Sequence, residues 1–232
     1  MGTTIALPQV DIVYPHTTGL PVFLTAGGRR PDPVWLRKAA GDYPVYAVDR
    51  GADHLKKAGI LPSFLYGDRD SARPGAWDEF VRKGAKAKTY PVNKDDTDLA
   101  LVVQDLEPHL TVIVSGVWGG RADHLLGNLF TLLPYAKKSG IVILADEQEV
   151  LCFLGEGEQL SWQVAKKLPQ AVSLLPFTET AKVSISGVRW PLQEAVLRQE
   201  QFSYSISNKM TEPVLSVSCT SGWVGIYGTW KE

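Results

Sequence analysis

Four short stretches of the chain set acidic side chains beside a glycine or a helix start. Asp49-Arg50-Gly51-Ala52-Asp53 follows the apolar run Val45-Tyr46-Ala47-Val48. Gly67-Asp68-Arg69-Asp70-Ser71 follows Phe64-Leu65-Tyr66. Lys94-Asp95-Asp96-Thr97-Asp98 precedes the apolar segment Leu99-Ala100-Leu101-Val102-Val103, and Gly116-Val117-Trp118-Gly119-Gly120-Arg121-Ala122-Asp123-His124 follows Thr111-Val112-Ile113-Val114-Ser115. Carboxylates gathered in one place repel one another unless a cation shares them. A hard divalent cation such as magnesium takes oxygen ligands, commonly one or two carboxylates together with substrate phosphates. The chemistry these residue types suit is the handling of a magnesium-bound nucleotide.

Each stretch also has a plainer explanation. Asp68 and Asp70 are two apart and can turn toward one ion, or they can serve as helix-capping acids in a loop. Acids and Thr97 at a helix start are ordinary capping, favoured by the helix dipole. Three acids among residues 95–98 exceed what a cap requires, and Asp95 and Asp98 share a helix face. Lys94 suits a phosphate as a point charge. The glycines after Ser115 expose backbone N–H groups at a helix start, and Arg121 can bind phosphate bidentately. Asp123 reads either as the ion-pair partner of Arg121 or as a substrate contact. His124 reads as a proton donor or as a satisfied helix residue. What raises all four stretches above capping is position: each lies where a strand gives way to a helix, so all can converge on the carboxyl edge of one sheet.

The elements needed to position them are legible. Strands are expected at 21–25, 45–48, 64–66, 88–92, 111–115 and 141–144. Helices are expected from Asp32-Pro33, from Gly51, over 74–83, over 95–106 and over 122–137. Strands alternating with helices of this length indicate βαβ units and a mostly parallel sheet. After Asp146 the pattern becomes a run of short alternating stretches (150–154, 171–176, 182–186, 195–197, 202–206, 214–219 and 223–227), which predicts an antiparallel β-sandwich or barrel. The fold class expected is α/β: an N-terminal mostly parallel sheet flanked by helices over residues 1–150, with a C-terminal antiparallel β-sandwich domain over 151–232. Residues 1–20 read as a loose arm or an edge strand. Trp190, Tyr204, Trp223, Tyr227 and Trp230 read mostly as core, with one or more available as a stacking surface. Ser207-Asn208-Lys209 reads as a polar turn.

Composition narrows the partners. With 44% hydrophobic and 21% charged residues the chain is an ordinary globular one, and a formal net charge of -1 provides no broad positive field for nucleic acid. Cys152 and Cys219 have no metal-type spacing and read as buried reduced thiols. No signal-peptide pattern opens the chain, and no apolar run approaches the roughly 20 residues that span a bilayer, so a cytoplasmic setting and no membrane partner are expected. There is no phosphate-loop lysine motif, Ser-His-Asp pattern or zinc spacing.

In this order the motifs resemble the thiamine pyrophosphokinase family. The resemblance runs over about residues 21–228, through the Asp49 stretch, Gly-Asp-x-Asp-Ser at 67–71, Lys94 to Asp98, Gly-Gly-Arg-x-Asp-His at 119–124, Gly187-Val188-Arg189-Trp190-Pro191-Leu192 and Ser205-Ile206-Ser207-Asn208. It implies transfer of a pyrophosphoryl group from ATP to the hydroxyl of thiamine, with Mg2+ required and ATP as co-substrate, in a homodimer. It implies that Asp68, Asp70 and Asp98 hold the metal and triphosphate, with Asp49 beside them. Asp95, Thr97 and Lys94 then belong to the nucleotide motif, Arg121, Asp123 and His124 to the phosphate and substrate pocket, and Ser207 and Asn208 to the thiamine contact. Asp70, Asp98 and Asp49 become the candidates for catalysis. The sequence departs from the family pattern at Arg50, Arg69 and Lys209. Two other readings share these residues: a pyrophosphokinase for another alcohol such as a pterin, and a non-catalytic nucleotide- or thiamine-binding regulator.

Overall fold

The computed structural model describes residues 2–16, 19–67, 75–90, 95–138, 140–201 and 203–231. In chain order the elements are β1 (Thr3–Ala6), β2 (Asp11–Tyr14), β3 (Pro21–Thr25), α1 (Pro33–Ala40), β4 (Val45–Val48), α2 (Gly51–Ala58), β5 (Phe64–Gly67), α3 (Ala76–Arg82), β6 (Lys86–Thr89), α4 (Asp98–Asp105), β7 (Thr111–Ser115), α5 (Ala122–Lys138) and β8 (Ile141–Ala145). Seven strands follow: β9 (Glu149–Leu154), β10 (Gln159–Gln163), β11 (Ala171–Pro176), β12 (Thr180–Ser186), β13 (Leu192–Arg198), β14 (Val214–Ser221) and β15 (Val224–Thr229). The chain divides into one unit over Gly19–Asp146 and another over Met1–Thr18 with Glu147–Glu232. No helix among the described residues is long and apolar enough to cross a membrane.

The first unit is a parallel sheet in the order β8-β7-β3-β4-β5-β6. Its middle strands are mostly apolar, as expected of parallel strands covered on both faces: β7 is buried at every position and β3 from Val22 to Thr25, with Thr111, Ser115 and Thr25 as the polar residues at their ends. Helix α1 starts where Asp32 and Pro33 predict. Asp32 Oδ1 accepts from the Val34 and Trp35 amides at 2.9 and 2.8 Å, and the buried face carries Trp35, Leu36, Ala39 and Ala40. Helix α4 begins at Asp98 rather than Asp95, because Thr97 is extended and its Oγ1 caps the Ala100 amide at 3.2 Å. Strand β6 occupies 86–89 rather than 88–92, and positions 91 and 92 lie outside the described residues.

The second unit stacks antiparallel strands. One sheet runs β1-β2-β10-β14-β12-β13, and β11, β15 and β9 pair antiparallel in that order. Between them lie Tyr14, Cys152, Trp162 and Leu215, all buried. Strand β14 shows why: its burial alternates along Val214–Ser221, so Leu215, Val217 and Cys219 face inward.

Three expectations change here. Residues 1–18 leave the α/β unit to which residues 1–150 were assigned, because Ile12 and Val13 of β2 align with Trp162 and Ser161 of β10. Strand β10 itself escaped notice in the sequence. The strand expected over 202–206 is not formed by its described residues: Ser203–Ser205 is a single 3-10 turn, as is Gln199–Gln201, and Ser205 Oγ donates to the Leu174 carbonyl at 2.7 Å, while position 202 lies outside the described residues.

Candidate active site

The order of the parallel strands reverses between β3 and β7, whose neighbours lead away in opposite directions. Open α/β sheets place ligands in the crevice beyond the strands' carboxyl ends at such a switch point. Here the two loops that leave it interlock. The Gly28 amide donates to the Gly116 carbonyl and the Arg29 amide to the Trp118 carbonyl, both at 2.6 Å. Gly116 has φ +70°, and a Cβ there would sit 2.2 Å from the Ala26 carbonyl oxygen, so only glycine fits. Below the loops, Arg29 bridges to the buried Asp146 carboxylate at 2.6 Å.

Strand β4 delivers Asp49 to the same edge. Its amide donates to the Tyr66 carbonyl at 2.9 Å, and its φ is +50°, a left-handed conformation seldom adopted by residues other than glycine. Its carboxylate lies against Gly67: a Cβ at that position would stand 2.1 Å from Asp49 Oδ1. The strained aspartate and the glycine that admits its carboxylate are therefore one feature built from two loops.

Asp98 is the first residue of α4 and is only 9% exposed. A carboxylate at a helix N-terminus is stabilised by the dipole. At the start of α5, Arg121 holds Asp123 by two bonds, from Nε at 3.1 Å and from the terminal nitrogen at 2.5 Å, while the His124 amide donates to Asp123 Oδ1 at 2.9 Å. Hydrogen bonding from Arg121 lowers the Asp123 pKa, and the same pairing raises that of Arg121.

These groups line one cavity of about 790 Å³: Asp49, Thr97, Asp98, Arg121, Asp123 and His124, with Asp96 and with Gly28, Gly116, Gly119 and Gly120 among the backbone walls. Asp95 is exposed and off the wall. Asp68, Asp70 and Lys94 lie outside the described residues. Among the described residues no three His, Cys, Asp or Glu side chains stand together as a ready ligand set.

Ser207 and Asn208 belong to the other unit. Ser207 has φ +59°, and its amide donates to Ser173 Oγ at 3.1 Å. Asn208 accepts from the Trp190 amide at 3.2 Å and donates to the Trp190 carbonyl at 2.7 Å. Its amide group is occupied in holding the Trp190 turn. Trp190 and Tyr204 are not core: Trp190 is 54% exposed, with the Arg189 guanidinium 5.0 Å from its ring centre, and Tyr204 is 57% exposed. Sequence reasoning also treated Gly27-Gly28 only as a strand end. The signal that could have placed it at the site was two consecutive glycines after the strand that proves central.

The walls suit a magnesium nucleotide on two observations. The donors are hard carboxylate oxygens from separate loops, and the backbone at the switch point has no side chain where a phosphate would approach. Of the three aspartates expected from the sequence to hold the ion, Asp98 is the one among the described residues, and it lies on this wall.

Known proteins share both halves of the chain. Residues 41–144 match the sequence model described as "Thiamin pyrophosphokinase, catalytic domain", and residues 162–224 match "Thiamin pyrophosphokinase, vitamin B1 binding domain". The chain is 32% identical over 149 residues to a thiamine pyrophosphokinase of Bacillus subtilis, covering 62% of this chain and 68% of that one. It is 28% identical over 170 residues to thiamine pyrophosphokinase 1 of Arabidopsis thaliana, covering 69% of this chain and 62% of the plant protein. The crystal structure of the Bacillus subtilis protein shares the fold, with a TM-score of 0.78 over 91% of this chain and 100% of that one at 23% identity.

Proposed function

The chain belongs to the thiamine pyrophosphokinase family, and from that premise we propose that it transfers the pyrophosphoryl group of ATP to the hydroxyl of thiamine, giving thiamine diphosphate and AMP. The observation that carries this is the single cavity into which three strand-to-helix junctions deliver Asp49, Asp98, and Arg121 with Asp123 and His124.

The roles follow from charge. The alcohol oxygen of thiamine attacks the β-phosphorus and AMP leaves, so negative charge spreads over the transferring oxygens. There is little covalent work for the protein, which acts by positioning and by electrostatic stabilisation. The N-terminal amides of α5 and the Gly119-Gly120 turn face that charge, and Arg121 adds a cation once it exchanges Asp123 for a phosphate oxygen. Thr97 fixes the start of α4 beside the nucleotide, and Lys94 of the same motif supplies a cation for it, whereas Asp95 stands off the cavity wall. Asp98, with Asp68 and Asp70, would hold magnesium, which would supply positive charge against the phosphate oxygens. Asp98 or Asp70 accepts the alcohol proton, and Asp49 keeps the acidic wall in place. Asn208 holds Trp190, whose exposed indole offers a flat face to the thiamine rings, and Ser207, anchored on Ser173, sets the turn that carries Asn208. The family resemblance carries a homodimer with it, and the two buried thiols suit a cytoplasmic setting.

The test is Asp98→Asn, which keeps the side chain's size and removes its charge. AMP formation from ATP and thiamine should fall at least about a hundredfold, the scale for losing one preorganised electrostatic group, with the unfolding temperature unchanged. Near-normal turnover would remove Asp98 from the chemistry.

A further inference from the structure

A second cavity of about 520 Å³ opens beside the first and differs from it in sign. Its wall carries Arg30, Arg50, Lys56 and Lys57, with Asp53 as the acidic side chain among the described residues that line it. Four cations face one carboxylate. Lys56 is occupied, 2.8 Å from Glu79. Arg30, Arg50 and Lys57 have no ion-pair partner among the described residues.

The convergence has a structural cause. Arg50, Asp53, His54 and Lys57 fall three or four residues apart around α2, so one helical face presents them together. Arg50 is the N-cap of that helix, and its side chain does not cap the helix amides. Arg30 reaches the same space from the loop after β3. His54 makes the floor: it is 8% exposed, and its Nε2 donates to the Gly28 carbonyl at 3.2 Å. Burial is the main force that lowers its pKa, and the charges of Arg50 and Arg30 push the same way, which places both guanidinium groups within electrostatic reach of the ring. Gly28 and Arg50 line this cavity and the carboxylate-walled one alike.

Unpaired cations crowded on one wall repel one another, and a polyanion relieves that repulsion. Guanidinium groups suit phosphate oxygens through paired N–H donors. We propose that this basic cavity is an oligophosphate-binding site, with Arg30, Arg50 and Lys57 as its ligands and Arg50 shared with the neighbouring catalytic cavity. It rests on the nucleotide reading above and extends it by giving diphosphate-sized anions a place where, among the described residues, cations outnumber the one carboxylate, Asp53. The diphosphate has two possible sources: the terminal phosphates of the nucleotide itself, or a separate small oligophosphate.

Titration calorimetry with inorganic pyrophosphate tests this, in the presence of a chelator and with no thiamine. The full chain should bind saturably without a divalent ion. The Arg30→Gln/Lys57→Gln variant, which leaves every residue of the catalytic cavity in place, should bind roughly a hundredfold more weakly, about tenfold for each charge-assisted hydrogen bond removed. Absence of saturable binding, or equal affinity in a variant with an unchanged unfolding temperature, would overturn the site. Lys57→Gln alone, at an exposed helix position, repeats the test should the double variant fold poorly. Displacement by ATP but not by AMP assigns the site to the nucleotide's own terminal phosphates; displacement by neither assigns it to a separate oligophosphate. Failure of the unaltered chain to form AMP from ATP and thiamine would count against the catalytic reading alone, since no acceptor enters the pyrophosphate measurement.

Discussion

The α/β unit and the sandwich unit handle polar groups in opposite ways. In the α/β unit the charged side chains gather at strand ends, where loops Ala26–Gly28 and Gly116–Gly120 leave backbone exposed and Asp49 accepts a left-handed backbone. In the sandwich a polar cluster is sealed inside: Tyr14 and Trp162 flank the Cys152 thiol, and burial pushes the pKa of that thiol up to about 12. The first arrangement serves chemistry on a charged ligand. The second serves rigidity, and it supports a small exposed platform at Trp190. Of the four described non-glycine residues with positive φ, Asp49 and Ser207 are residues the sequence had marked for function, one in each unit. Strain of that kind persists only where the surroundings impose it.

The contrast breaks most visibly if the two interiors are exchanged in importance. Trp162 is fully buried, and a Cβ on Gly228 would lie 2.5 Å from its ring, so the glycine exists to admit the indole. Trp162→Ala should cost about 3–5 kcal/mol in urea unfolding. Asp98→Asn should instead leave unfolding unchanged and remove activity by at least about a hundredfold, close to 2.7 kcal/mol in the barrier. Should Trp162→Ala prove neutral to stability, the sandwich interior would not be the rigid support described.

A smaller effect sharpens the role of the platform. Asn208→Ala removes the two bonds to the Trp190 backbone without touching the indole. The KM for thiamine should rise about tenfold, the scale of removing one or two hydrogen bonds, while kcat and the KM for ATP stay the same. A fall in kcat with KM unchanged would make Asn208 a direct participant in the reaction rather than the residue that positions Trp190.

The parallel half of the fold was legible because its signals are local. Apolar runs bounded by glycine and acid predict β3, β4, β7 and β8 within a residue, and Asp32-Pro33 marks α1. Convergence of Asp49, Asp98 and Arg121 was legible for a related reason: βα junctions of a parallel sheet share one edge. Residues 1–18 were not, since the pairing of β2 with β10 spans about 150 residues and no local pattern encodes it. Trp190 and Tyr204 were misplaced because an aromatic among alternating residues looks the same whether its face is covered or open. The basic cavity was hidden because Arg30 comes from a loop and Arg50, Lys56 and Lys57 from a helix, and their meeting depends on the β3–β4 pairing.

The finest effect concerns the floor of the basic cavity. Burial lowers the pKa of His54 below its ordinary 6.5, so the folded state keeps the ring neutral while the unfolded chain protonates it near that value. Between the folded and unfolded pKa values the unfolded state binds more protons, and stability therefore rises with pH. The contribution of His54 is present in full above pH 6.5 and is lost as the pH falls through the folded pKa. His54→Gln keeps a donor for the Gly28 carbonyl and cannot titrate. Urea unfolding at pH 7.5 and 5.5 should show the native chain losing stability relative to the variant at the lower pH. That loss is bounded by one proton, about 1.4 kcal/mol per pH unit. A difference that does not change with pH would mean that His54 meets water in the folded state. Arg30 and Arg50 would then surround a solvated ring, and the floor of the basic cavity would be open.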